Sequence, residues 1–237
     1  LGAMAFLPGI PQAMAQESKL KASADAILKA ATDAGDVPGV VAMATNRSGT
    51  IYEGGFGTRQ MGADSPMTPD TIVWIASMTK PITAVAVMML QDEGKLDVHD
   101  PVAKYLPEFA NLKTPSGQPA NLTLIQILTH TSGLGEAGGP AAREAKTLAD
   151  LVPLWLAAPM QFEPGSRWSY CQSGINAAGR VVEVVSGMSF DAFLKKRLFQ
   201  PLGMTSTTFY PGASERARVT PADSKRPGQK PEHDLRV

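Results

Sequence analysis

Ser77 and Lys80 stand three residues apart in Ile72-Val73-Trp74-Ile75-Ala76-Ser77-Met78-Thr79-Lys80, and the run from Pro81 to Leu90 that follows carries no charge. On a helix this spacing puts the hydroxyl and the amine on one face, within reach of each other. Lys80 is the only charged residue from Thr71 to Gln91. Burial disfavours the charged form of an amine, which is what a general base for a serine hydroxyl requires. Backbone N–H groups and the dipole at the helix start would also favour a developing oxyanion. The spacing alone is weak: 15 serines and 12 lysines in 237 residues give about 0.8 chance matches, and Ser18-Lys19-Leu20-Lys21 is a second copy. That copy lies among charges and reads as solvated surface. Only Ser77 opens an apolar helix.

A second group of chemistry-bearing residues lies in Pro164-Gly165-Ser166-Arg167-Trp168-Ser169-Tyr170-Cys171-Gln172-Ser173-Gly174, a turn running into a helix start. Tyr170 can share a proton with Lys80 as a phenolate or a relay, and the carboxamide of Gln172 can hydrogen-bond a substrate carbonyl. The competing reading makes Trp168 and Tyr170 half-buried packing aromatics. His130-Thr131-Ser132-Gly133-Leu134 reads as a loop tied by its own polar side chains. His130 as a catalytic base is the lesser reading, because no G-x-S-x-G elbow exists in the chain.

Other chemistries find little footing. His99 and His233 lack ligand-spaced partners and no H-E-x-x-H is present, so no metal site is expected. Gly54, Gly55 and Gly57 follow a strand without opening a helix, which disfavours a dinucleotide loop. No cofactor is implied. The single cysteine, Cys171, excludes an intramolecular disulfide and a cysteine-based zinc site, and reads as a small packing residue.

These residues need elements to hold them. Leu20, Ala24, Ile27, Leu28 and Ala31 recur at helical spacing between Gln16 and Ala34. Val40–Ala44 and Thr50–Glu53, joined through Asn46-Arg47-Ser48-Gly49, read as a hairpin. Thr123 with Gln126 and Thr147 with Asp150 are helix-start signals, and residues 174–186 and 190–199 read as two further helices joined near Gly187. Two strands alone do not make a stable sheet, and no further strand is legible.

The 22 Lys+Arg against 22 Asp+Glu leave no net charge, which excludes a strongly basic nucleic-acid binder. With 43% hydrophobic and 19% charged residues, the chain can build a core. Residues 1–15, uncharged and ending Ala13-Met14-Ala15, read as the remnant of a secretory signal peptide, with an exported protein, periplasmic or extracellular, beginning at Gln16. No later stretch supplies the ~20 apolar residues of a membrane span. Residues 211–237 hold few large apolar side chains and read as a surface excursion or frayed end.

Taken in order, Ser77-Met78-Thr79-Lys80, His130-Thr131-Ser132-Gly133-Leu134, Pro164-Gly165 with Trp168 and Tyr170, Glu183–Gly187 and Pro201-Leu202-Gly203-Met204 resemble the serine β-lactamase-related superfamily. The nearest branch looks like the class C β-lactamases, family VIII carboxylesterases and D-alanyl-D-alanine carboxypeptidases, and the likeness runs from about Val37 to Phe209. It implies an α/β (α+β) fold of the β-lactamase/transpeptidase type, an α/β lobe plus a helical lobe, with the active site between them. It also implies Ser77 as acylated nucleophile, Lys80 as its activating partner and Tyr170 as proton relay. The substrate would be a small-molecule ester, β-lactam or D-Ala-terminated peptide.

The sequence departs from the family twice. Tyr170-Cys171-Gln172 stands where the family has Tyr-x-Asn, moving the carboxamide by ~1.5 Å and favouring esters. The family's third motif, Lys or His followed by a small polar residue and Gly on a strand, is absent after Met204, so residues 16–237 read as a hydrolase domain whose remaining strands lie beyond Val237. A non-catalytic ligand-binding protein on the same scaffold is the competing reading, raised by Gln172.

Overall fold

In the computed structural model the described residues are 10–224 and 232–234, with side chains over 18–221. Two compact units form, one of Leu1–Trp74 with Phe209–Val237 and the other of Ile75–Thr208.

The first unit starts with α1 (Ile10–Asp33), which includes the predicted helix and extends it toward the N-terminus. Of the 15 residues read as a signal remnant, 1–9 lie outside the described residues and 10–15 belong to α1. β1 (Gly39–Asn46) and β2 (Gly49–Gly57) pair antiparallel from Gly39↔Gly57 to Asn46↔Gly49, with a register shift between Ala44 and Thr45. The turn follows from its residues. Asn46 Oδ1 accepts from Ser48 N at 2.7 Å, and Gly49 takes a φ of 128° that a side chain resists. Tyr52 ties the hairpin to α1: it is buried, and its hydroxyl donates to Asp25 Oδ1 at 2.8 Å.

Residues 211–224 correct the expectation of a frayed end. They include α8 (Ala213–Arg216), a parallel bridge of Val219 to Ile72, and the bond Thr220 N to Ile72 O at 2.8 Å. β3 (Ala222–Ser224) pairs antiparallel with β4 (Glu232–Asp234), two strands the sequence did not reveal. Such short ladders are held by backbone groups, which leave no side-chain period. The remaining residues of that predicted excursion, 225–231 and 235–237, and the side chain of His233, lie outside the described residues.

The second unit is helical. A 3₁₀ turn over Ala76–Met78 leads into α2 (Thr79–Asp92), and α3 (Leu124–Leu128), α4 (Gly139–Glu144), α5 (Leu148–Ala157), α6 (Gln172–Ser186) and α7 (Phe190–Leu194) follow. Both helix-start signals are realised as capping boxes, Thr123 with Gln126 and Thr147 with Asp150. Thr147 Oγ1 accepts from Asp150 N at 3.2 Å while the Asp150 carboxylate accepts from Thr147 N at 2.9 Å, an arrangement worth about 1 kcal/mol. The predicted helix over 190–199 is two pieces, because the wider π turn Lys195–Phe199 succeeds α7.

The core of this unit lies where α2 packs on α6. Ala86, Val87 and Leu90 of α2 and Ala177, Ala178, Val181 and Val182 of α6 are fully buried, and Trp155 of α5 and Phe193 of α7 close the sides. The pairing brings the first turn of α2, with Lys80, to the first turn of α6, with Gln172.

Candidate active site

Ser77 lies on the 3₁₀ turn just before α2, and Lys80 is in the first turn of that helix. Ala76, immediately before the serine, has a φ of 46°, a left-handed conformation costing about 1–3 kcal/mol for a residue with a side chain. The next residue, Ser77, is exposed while Lys80 is buried.

The predicted trio converges. Lys80 Nζ donates to Ser77 Oγ at 3.1 Å, and the Tyr170 hydroxyl reaches the same oxygen at 2.7 Å. Lys80 Nζ stands 4.6 Å from the centre of the Tyr170 ring. Tyr170 and Trp168 are 48% and 64% exposed and also pack against each other with ring centroids 6.5 Å apart, so Tyr170 serves packing and lies at the serine at once. Hydrogen bonding with Lys80, and then with the Ser77 hydroxyl, holds the Tyr170 phenol below its ordinary pKa.

Gln172 joins the same network. Its Oε1 accepts from Lys80 Nζ, and its Nε2 donates to Asn176 Oδ1 at 2.8 Å, one helical turn on. The start of α6 is held by residues the sequence reading passed over or assigned only to packing. Glu136 accepts from Gln172 N, from Ser173 N at 2.9 Å and from Ser173 Oγ at 2.8 Å, placing a carboxylate on the positive end of the helix. Cys171 is the N-cap: its sulfur accepts from Gly174 N at 3.4 Å and its thiol donates to Leu134 O at 3.4 Å. Burial pushes that thiol up to about 11.

The His130–Leu134 loop is the support beneath this segment. Ser132, almost fully buried, accepts from Leu134 N at 3.2 Å. Gly133 has a φ of 71°, and a Cβ there would meet Phe162 O at 2.1 Å, so only glycine fits. Thr131 O accepts from Gly165 N at 2.7 Å, and His130 O accepts from Ser169 N at 2.9 Å. The His130 ring stacks on Tyr170 with centroids 4.7 Å apart and meets Trp168 edge-on at 6.0 Å.

Asn176 was open to a spacing argument, since it lies at i+4 from Gln172. Glu136 was not, because its partners follow it by 36 and 37 residues with no pattern to mark them. Among the described residues no group of three or more His, Cys, Asp or Glu could hold a metal ion, and no helix is long and apolar enough to cross a membrane.

A family model described as "Beta-lactamase" matches residues 24–236. Lovastatin esterase of Penicillium rubens is 32% identical over 231 residues, which are 86% of this chain and 57% of that protein. Penicillin-binding protein 4 of Amycolatopsis lactamdurans is 33% identical over 197 residues, 83% of this chain and 51% of that protein. Among solved structures, EstCE1, "a hydrolase with promiscuous acyltransferase activity", superposes with a TM-score of 0.77 at 26% identity, over 94% of this chain and 59% of that one. The chain thus spans a little over half the length of these relatives.

Proposed function

Because this chain belongs to the Beta-lactamase family, whose members among its relatives are esterases and penicillin-binding proteins, we propose that it is a serine hydrolase working through an acyl-enzyme on Ser77, with carboxylic esters as substrates. The observation that carries this reading is that Ser77 Oγ is met by both Lys80 Nζ, at 3.1 Å, and the Tyr170 hydroxyl, at 2.7 Å. A serine tied to two proton carriers can lose its proton as it attacks.

In the proposed reaction the Tyr170 phenolate, favoured by the charge of Lys80, takes the Ser77 proton as Oγ bonds to the ester carbonyl carbon. The tetrahedral intermediate collapses, the C–O bond to the alcohol breaks, and Tyr170 returns the proton to the leaving oxygen. Water then enters by the same route in reverse: Tyr170 takes its proton, hydroxide adds to the acyl carbon, and Ser77 leaves with the proton restored. One ester and one water give one acid and one alcohol.

The ester preference rests on Gln172. Both ends of its carboxamide are engaged within the site, Oε1 by Lys80 and Nε2 by Asn176. The amide therefore steadies Lys80 rather than standing free for a lactam side chain, and its role as a substrate contact becomes secondary in this reading.

Incubation with a fluorophosphonate should add one phosphonyl group by intact mass, mapped by peptide sequencing to Ser77. A p-nitrophenyl ester should turn over faster than a chromogenic cephalosporin. Absence of any adduct, with the ester untouched, overturns the hydrolase reading, and adduct formation with only the cephalosporin consumed overturns the ester preference.

We further propose export, on the uncharged, Ala-x-Ala-like stretch over residues 1–15. Amino-terminal sequencing of the protein recovered from a periplasmic fraction should begin at Gln16. A protein recovered only from the cytoplasm with those residues attached overturns it.

A further inference from the structure

His130 touches the segment around Tyr170 in three independent ways. Its carbonyl oxygen accepts from Ser169 N at 2.9 Å, its ring nitrogen Nδ1 accepts from Cys171 N at 3.1 Å, and its ring stacks on the phenol with centroids 4.7 Å apart and planes 30° apart. One residue therefore pins the backbone on both sides of Tyr170 and sets the plane of the ring between. Trp168 meets the imidazole edge-on at 84° and also touches Tyr170, with ring centroids 6.5 Å apart. The backbone of His130 is itself left-handed, with a φ of 61°, an uncommon conformation for a residue with a side chain. The contacts around it sustain a conformation that a free loop would relax.

We propose that His130 is a positioning residue that holds Tyr170 on Ser77 only while its imidazole is neutral, so that protonation of His130 switches the site off on the acid side. The inference rests on the reading of Tyr170 as the proton relay for Ser77. The chemistry is that of one nitrogen. A neutral imidazole carrying its hydrogen on Nε2 offers a lone pair at Nδ1 to the Cys171 N–H. The imidazolium carries hydrogens on both nitrogens, so two N–H groups would face each other at 3.1 Å and the bond is lost. Tyr170 is the residue next to that N–H, and a shift of about 1 Å at a reacting group costs up to ~100-fold in rate.

The groups facing the imidazole pull in both directions, and the net effect favours a neutral ring. Lys80 from α2 repels a second positive charge, Glu136 from the loop beyond Leu134 favours one, and Tyr170 and Cys171 lie against the ring itself. Burial first, and Lys80 second, keep its pKa below the ordinary histidine value. The imidazole then supports Tyr170 at any pH above that lowered value, and the support fails as the pH falls through it.

The test is the pH profile of kcat/KM for a p-nitrophenyl ester, measured on the full chain with His130→Asn and His130→Ala. Asparagine places Oδ1 where Nδ1 stands, tolerates a left-handed backbone and does not titrate. In the unmodified protein both Tyr170 and His130 must be deprotonated, so the acid limb should steepen toward a slope of 2, at two protons per site. In His130→Asn the slope should stay at 1, with activity at alkaline pH within about tenfold of the unmodified protein. His130→Ala should lower kcat about 10- to 100-fold with KM changed less than about twofold. Where the alanine variant does not fold, His130→Asn alone decides. A slope of 2 retained in His130→Asn, or activity lost at every pH in that variant with its melting temperature unchanged, overturns the inference. Fluorophosphonate labelling of Ser77 separates the two readings: a protein that labels but shows an unaltered profile in His130→Asn loses only the histidine's role.

Discussion

Ser77→Ala is expected to remove ester hydrolysis by about 10⁴-fold or more and to abolish fluorophosphonate labelling, while leaving the melting temperature almost unchanged. Ser77 is exposed and contributes no apolar burial, so its hydroxyl can be removed without opening a cavity. Lys80 loses one hydrogen bond but keeps Gln172, and Tyr170 keeps its stack on His130, so neither is released from its place. Only the atom met by both proton carriers is gone. Rate constants and intact mass on the purified variant check this, and ester turnover surviving within tenfold would move the nucleophile elsewhere.

Lys80→Met should cost about 10³-fold or more and, unlike the serine variant, should change the shape of the pH profile. Methionine keeps much of the buried stem and drops the charge together with two hydrogen bonds, to Gln172 Oε1 and Ser77 Oγ. The variant should therefore melt within a few degrees of the parent. Its chemistry is the informative part. The hydrogen bond from Lys80 is the leading cause that keeps the Tyr170 phenol below its ordinary pKa, with the hydrogen bond to the Ser77 hydroxyl second and the Lys80 charge adding to them. Without Lys80 the phenol returns upward toward about 10. A base with a raised pKa is ionised only at higher pH, so the residual activity should shift to the alkaline side. The pH profile of His130→Asn, by contrast, should lose slope without that displacement, and the two variants can be told apart on one graph. A Lys80→Met profile that keeps its midpoint would break the link between Lys80 and Tyr170.

What the sequence made legible was whatever acts over a few residues. The hydroxyl and amine of Ser77 and Lys80 meet because a helix turn puts i and i+3 together, and the capping boxes at Thr123 and Thr147 are read from the same local spacing. The hairpin showed itself through its turn residues. Tyr170 lies 93 residues from Ser77, and only the ordered motifs of the superfamily joined them, since no periodicity spans such a distance. The reading of His130 as tying its loop was sound but stopped short, because a stack on Tyr170 comes from how the loop and the α6 approach are packed, not from either stretch alone. Glu136 and the left-handed Ala76 left no trace for the same reason. β3 and β4 are three residues each and without a large apolar side chain, too short for alternation to be counted.

The position of Cys171 has a practical side. It is the one cysteine of the chain, and its thiol is spent as the cap of α6, buried and pushed up to about 11. Toward a maleimide dye the folded protein should behave as though it had no cysteine, so a single thiol introduced at the exposed Met78, next to the nucleophile, would be the only point a dye takes. Acylation of Ser77 could then be watched as a change in fluorescence, in real time and without a chromogenic substrate.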